Sequence, residues 1–181
     1  MSILQIVRFP SPVLRKTTTP VQHIDREVRT LVENMMETMC DVNGAGLAAI
    51  QVGSPLRIFI IEAVAGGKER TDSPIVFINP VLKELSPETD VRDEGCLSFP
   101  GIFVPVKRAL SLHVSALDLD GNSFSLEVQN FFARAIQHEN DHLENRLLFD
   151  HAGPIKKQMI KRKLDKMTDA EAFEILRNTG E

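Results

Sequence analysis

The stretch from Asn130 to Leu143, NFFARAIQHENDHL, leaves the chain few ways to fold. Its residues recur at helical spacing: Phe131, Ala135, His138 and His142 fall on one stripe, and Phe132, Ile136, Glu139 and Leu143 on the next. Only Asn130, Arg134, Gln137, Asp141 and Glu144 make a third, polar stripe. A helix apolar over two stripes packs deeply, yet three ionisable residues share those stripes. Buried ionisable groups need partners, and a metal ion is the obvious one.

His138-Glu139-Asn140-Asp141-His142 is an HEXXH sequence. Four residues turn a helix by about 400° and raise it by about 6 Å, so the two imidazoles project side by side and can share one cation. Glu139, one step along, sits where a general base for an activated water belongs. A catalytic site of the zinc type needs a third protein ligand and one open position. Two familiar downstream solutions fail. Positions 145 and 148, where metzincins carry Gly and His, hold Asn145 and Leu148, and no Glu occurs between Glu144 and Glu171. The third ligand therefore comes from upstream, and Cys96 in EGCLSFPG is the best candidate, because cation binding would deprotonate its thiol. Read alone, Cys96 is equally a buried reduced thiol.

Composition bounds the rest. With 181 residues, 43% hydrophobic and 25% charged, residues 1–181 read as one soluble domain able to bury roughly 70% of its unfolded surface. A net charge of -4 argues against DNA or an anionic membrane as the main partner, since both call for a basic excess. The absence of Trp and Tyr removes most stacking groups for single strands. No run reaches the roughly 18 apolar residues of a spanning helix, and MSILQIVRFP lacks a basic start followed by a long apolar stretch. A cytoplasmic location is the expectation. Two cysteines make no disulfide framework, and Cys40, on the apolar stripe Val28, Leu31, Val32, Met35, Met36, Met39, reads as a small buried hydrophobe.

Along the chain, residues 1–24, with three prolines, read as an irregular arm over the core. A helix begins at the N-cap Asp25 and stops at Asn43-Gly44. Strands follow at Arg57–Glu62 and Ile75–Leu85, the latter broken near Pro80, then a hairpin about Asp120-Gly121 with His113 on its polar face. His23 and His151, beside Pro- and Gly-containing connections, read as surface residues. Beyond Gly153-Pro154, Ile155, Met159, Ile160, Leu164 and Met167 oppose six basic residues from Lys156 to Lys166, and Thr168 with Glu171 forms a capping box for a last helix. The class is α+β: mostly antiparallel sheets around a buried HEXXH-bearing helix, with a C-terminal helix. GAGLAAIQVG, residues 44–53, fits neither a phosphate loop nor a dinucleotide fingerprint. Its small residues permit close backbone approach and Gln51 adds an amide donor, while a loop packed on its neighbours is the plainer reading.

Together GAGLAAIQ, EGCLSFPG and QHENDHL resemble the three signature motifs of the peptide deformylases, in that family's order and spacing, and the likeness extends over nearly the whole chain. The resemblance implies a metal-dependent hydrolase that removes the N-formyl group from the formyl-methionine of nascent polypeptides and releases formate. It makes Cys96, His138 and His142 the metal ligands and Glu139 the general acid/base. Gln51 and the backbone N–H of Leu97 would bond the oxyanion, and Gly46, Leu97, Phe131 and Ala135 would line the methionine pocket. Glu94 would stand behind the ligands with Arg108. Fe(II) is the implied metal, although one thiolate and two imidazoles also accept Zn(II), Ni(II) or Co(II). Two departures stand out: Asn145 replaces the usual Gly after DHL, which its tolerance of the left-handed region permits, and Arg134 occupies a position apolar in some relatives, bordering the pocket entrance. The rival readings are an HEXXH zinc peptidase and a non-catalytic, metal-stabilised protein associated with the ribosome. Docking of the basic C-terminal helix on the ribosome is a secondary expectation.

Overall fold

Strand Ile58–Ile61 is buried on both faces, and the rest of the architecture follows from what covers each side. A computed structural model describes residues 2–67 and 73–179. In chain order the elements are α1 (Arg26–Asp41), β1 (Gly46–Ala48), β2 (Ile58–Ile61), β3 (Ile75–Lys83), β4 (Thr89–Glu94), β5 (Val104–Ala109), β6 (Ser111–Leu117), β7 (Ser123–Gln129), α2 (Asn130–Leu143), α3 (Leu148–His151), α4 (Pro154–Leu164) and α5 (Asp169–Thr179). Five strands form one sheet in the order β1-β2-β3-β6-β7, and β4 pairs with β5 as a separate ribbon; the pairings in both are antiparallel. The class is α+β, as the sequence indicates.

Successive strand residues point to opposite faces, so β2 feeds two cores. Ile58 and Ile60 pack with Val32, Met35 and Met39 of α1. Phe59 and Ile61 pack with Ala133, Ile136 and Leu143 of α2. The HEXXH helix thus lies against one face of the large sheet, its length matching Asn130–Leu143 as read from sequence. A third cluster joins Cys96, Phe99 and Val104 to Leu148 and to Ile160 and Leu164 of α4.

Local signals act where expected. The Asp25 carboxylate accepts the Val28 N–H at 3.0 Å and opens α1. The β3 register shifts between Ile78 and Val81, around Pro80. Asp118 accepts N–H bonds from Asp120 and Asn122 in the hairpin turn, where Gly121 has φ +83°. Asn145 takes φ +60° just past α2, the conformation that lets Asn stand for Gly.

Four expectations need correction. Cys40 is exposed, because at the last turn of α1 it has rotated off the buried stripe. Phe131, assigned to a buried stripe, is half exposed, whereas Arg134 and Gln137, assigned to the polar stripe, are buried. The covering element is the β4–β5 ribbon, whose polar groups satisfy both: Gln137 bonds the N–H and C=O of Ala109 at 3.1 and 3.0 Å. In α4, Ile160 and Leu164 are buried but Ile155 and Met159 are exposed. His113 and His23 do face solvent; His151 is exposed too, but its ring Nε2 lies 2.9 Å from Asp141 Oδ2.

Candidate metal centre

Two parts of the fold converge at one point. On α2, the four-residue spacing places the His138 and His142 rings 5.3 Å apart. The connection from β4 to β5 winds through two tight turns, closed by Phe99 N–H to Cys96 C=O at 2.8 Å and Ile102 N–H to Phe99 C=O at 3.0 Å. These turns aim Cys96 at the helix. Its Sγ lies 3.3 Å from His142 Nε2, and one ligand atom from each of Cys96, His138 and His142 falls within 4.8 Å of the others. Bonds of about 2.0 to 2.3 Å put neighbouring N and S donors of a tetrahedral ion about 3.5 Å apart, so the three residues fit a single divalent cation. The donor set also fits chemically, one thiolate and two imidazoles suiting iron, zinc, cobalt or nickel.

Glu139 lies beside this cluster, buried, with its Oε2 lacking a hydrogen-bond partner. Burial pushes its carboxyl up to about 7, against the attraction of His138 and with the repulsion of Glu94. Burial and the nearby His138 charge pull His142 down to about 3, so its ring is neutral and able to ligate. His138 is also opposed by burial, but its hydrogen bonds to Cys96 and Glu94 outweigh that and raise it.

Behind the three donors runs an ionic network. His138 Nδ1 is 3.0 Å from Glu94 Oε2, and Arg108 grips both Glu94 oxygens, Nε to Oε1 at 3.0 Å and Nη2 to Oε2 at 2.9 Å. Arg108 Nη1 reaches Asp141 Oδ2 at 2.6 Å, which in turn meets His151. Burial opposes ionisation of Glu94 and Asp141, but the bonds to His138 and Arg108 hold Glu94 well below the usual carboxylate range, and those to His151 and Arg108 lower Asp141 too. The Glu94–Arg108 pairing was legible in the sequence. Asp141 and His151 were not assigned to it, although Asp141 sits inside the HEXXH motif.

The centre opens into a cavity of about 220 Å³ lined by Gly46, Gln51, Cys96, Leu97, Phe131, Ala135, His138 and Glu139, with Asp93, Phe103 and Arg134 also in its wall. Of the residues singled out from sequence for the site, His142 and Arg108 are absent from that lining and the others are in it. Gly46 is tight: a Cβ there would lie 2.6 Å from Glu139 Oε1. Gln51, in the 3-10 turn Ala49–Val52, is oriented by accepting the Ala48 N–H at 2.8 Å on Oε1. Its Nε2 then points to Cys96 Sγ at 3.6 Å and Ser98 Oγ at 3.2 Å. Ser98 was missed as a partner of Gln51, and Phe103 as a wall residue, since neither carries a signal beyond its place near EGC. Larger hollows, about 490 and 500 Å³, border α5 but hold no such convergence of donors.

Residues 3–158 match the family model described as polypeptide deformylase. The peptide deformylase of Cellvibrio japonicus is 44% identical over 166 residues, 92% of this chain and 96% of that protein. The crystal structure of a peptide deformylase from Legionella pneumophila superposes with a TM-score of 0.83 at 40% identity, covering 91% of this chain and 94% of that one. The Ehrlichia chaffeensis peptide deformylase in complex with actinonin gives 0.84 at 36% identity, covering 92% and 98%. With the three motifs gathered around one cavity and similarity across nine-tenths of its length, the chain belongs to the polypeptide deformylases, a family of hydrolases.

Proposed function

We propose that this hydrolase removes the formyl group from the formyl-methionine that begins a nascent polypeptide, releasing formate, with Cys96, His138 and His142 holding one divalent cation. The observation that carries the reading is Glu139: a buried carboxyl near neutrality, with an unpartnered oxygen, directly beside three convergent metal donors. A cation held there supplies a Lewis acid and an acidified water. Fe(II) is our choice of metal, with Zn(II), Ni(II) and Co(II) compatible with the same donors.

Glu139 Oε2 accepts a proton from water as it attacks the formyl carbon, and returns that proton to the departing amine. Burial, which raises this carboxyl, favours its holding the proton between the two halves of the cycle. Negative charge on the carbonyl oxygen is met by the Gln51 amide, whose Nε2 faces Cys96 and Ser98, and by the Leu97 N–H. Single donors of this kind are typically worth about 3 to 4 kcal/mol. Gly46, Leu97, Phe131 and Ala135 receive the methionine side chain, the half-exposed Phe131 at the mouth and Leu97 and Ala135 deeper.

We further take residues 1–181 as one domain. The N-terminal arm supports this, since Val7 N–H bonds Gln51 C=O at 2.7 Å and Phe9 N–H bonds Ser98 C=O at 3.0 Å. The proposed substrate class supports a cytoplasmic location, and no helix among the described residues is long and apolar enough to cross a membrane. Exposed Ile155 and Met159 among the lysines of α4 support contact with the ribosome. The peptidase and non-catalytic readings draw no support from the family match.

The test is formate release from a formyl-Met tripeptide by anaerobically prepared protein, with metal content measured. Glu139→Ala should retain metal and lose at least 100-fold in kcat. Undiminished activity of that variant would remove Glu139 from the reaction, and a metal-loaded wild type releasing no formate would refute the deformylase reading.

A further inference from the structure

Arg134 is buried in a helix face where the sequence pattern placed it in solvent, and its contacts leave α2. Nη1 donates to Glu94 Oε1 at 2.6 Å and to Val106 C=O at 3.0 Å, while Nη2 donates to Asp90 C=O at 3.3 Å and closely to the Asp90 carboxylate. Asp90 and Glu94 lie on β4 and Val106 on β5, so one side chain holds both strands of the ribbon against the helix. That ribbon carries Cys96 in its connecting turn, whereas α2 carries both histidines. Glu94 in turn meets His138 Nδ1.

We propose that Arg134 is a positioning residue for the metal site, latching the Cys96-bearing ribbon onto the histidine-bearing helix and fixing the Glu94 carboxylate that orients His138. The inference rests on the reading of Cys96, His138 and His142 as one ligand set. Three donors split between two parts of a fold bind only as tightly as those parts are held in register. A guanidinium suits the task because its planar fork spans Asp90 and Glu94 at once, where an ammonium makes one point contact. A buried cation would be costly here without its carboxylates. Arg108 of β5 makes a second tie, from both Glu94 oxygens to Asp141 of α2, and Arg134 adds to it the contacts with Asp90 and Val106. In a wild-type cavity the same latch sets where Phe103 and Asp93 stand, since both belong to the ribbon or its turn.

The decisive measurement is Zn(II) affinity of the full chain by competition with a chromophoric chelator, alongside the thiolate-to-Co(II) absorption of the Co(II) form. Arg134→Met should weaken Zn(II) binding 10- to 100-fold and perturb the Co(II) band, the range usual when a group orienting a ligand is lost. Arg134→Lys should recover part of the loss, and Asp90→Asn, which leaves the Glu94 contact, should lose less than Arg134→Met. If Arg134→Met binds Zn(II) within twofold of wild type with an unchanged Co(II) band, the latch is overturned whatever its melting temperature. Should that variant fail to fold, Arg134→Lys and Asp90→Asn decide by the same twofold criterion. His142→Ala separates the two levels: binding undiminished in His142→Ala overturns the ligand set itself, whereas loss there with none in the Arg134 variants overturns the latch alone.

Discussion

Gly46 shows what one absent Cβ does at this centre. Its backbone has room for Glu139 only because nothing projects from it, since an added Cβ would lie 2.6 Å from Oε1 and 3.0 Å from Cγ. Gly46→Ala should therefore displace the carboxylate and lower kcat/KM at least tenfold in the formate assay, with the melting temperature little changed. Gly53 is the control: at φ +88°, with open space about it, Gly53→Ala strains the backbone by about 1 kcal/mol and should lower the melting temperature while leaving kcat/KM intact. Equal activity losses in the two variants would show that Gly46 acts through the fold and not through Glu139. Residue type alone does not separate the two glycines; the GAGLAAIQ motif takes in Gly46 and not Gly53, and in the fold the approach of α2 to the one and the positive φ of the other set them apart.

At the level of elements, α2 and α5 show what periodicity can and cannot read. Spacing gave the limits of α2, since backbone hydrogen bonding and side-chain repeat are local. It missed which face is covered, because Arg134 and Gln137 are polar yet packed under a ribbon that offers carboxylates and backbone groups. In α5 the local signal suffices. Glu171 Oε2 accepts the Thr168 N–H at 2.8 Å, and Thr168 Oγ1 accepts the Glu171 N–H at 3.2 Å, closing the capping box. Thr168→Ala should cost about 1 kcal/mol. Because Ala172 and Leu176 of α5 are buried, this should lower the melting temperature by about 2 to 4 °C in calorimetry, with deformylation unchanged. No change in melting would mean that α5 unfolds independently of the core.

For the whole molecule, the buried ionic network sets the response to acid. Glu94 and Asp141 have folded pKa values below their unfolded values of about 4, so they contribute stability that is complete above about pH 5 and is lost as pH falls through the folded values. Urea unfolding should show a steep loss of stability below about pH 4. Arg108→Met, which removes the guanidinium shared by both carboxylates and leaves Glu94 to Arg134 and His138 and Asp141 to His151, should cost about 3 to 5 kcal/mol at pH 7 and flatten that acid limb. Parallel acid limbs in the two proteins would assign acid unfolding to other groups. The sequence by itself determined the paired histidines, the glutamate between them, the need for an upstream ligand and the α+β class, all of which follow from short-range spacing and side-chain chemistry. Only the tertiary structure decided that Cys96 reaches His142, that Arg134 is interior and Cys40 and Phe131 are not, and that His151 joins Asp141. Those outcomes depend on which surface meets which, and the ribbon that covers α2 starts some 40 residues before it, a pairing that no local repeat encodes.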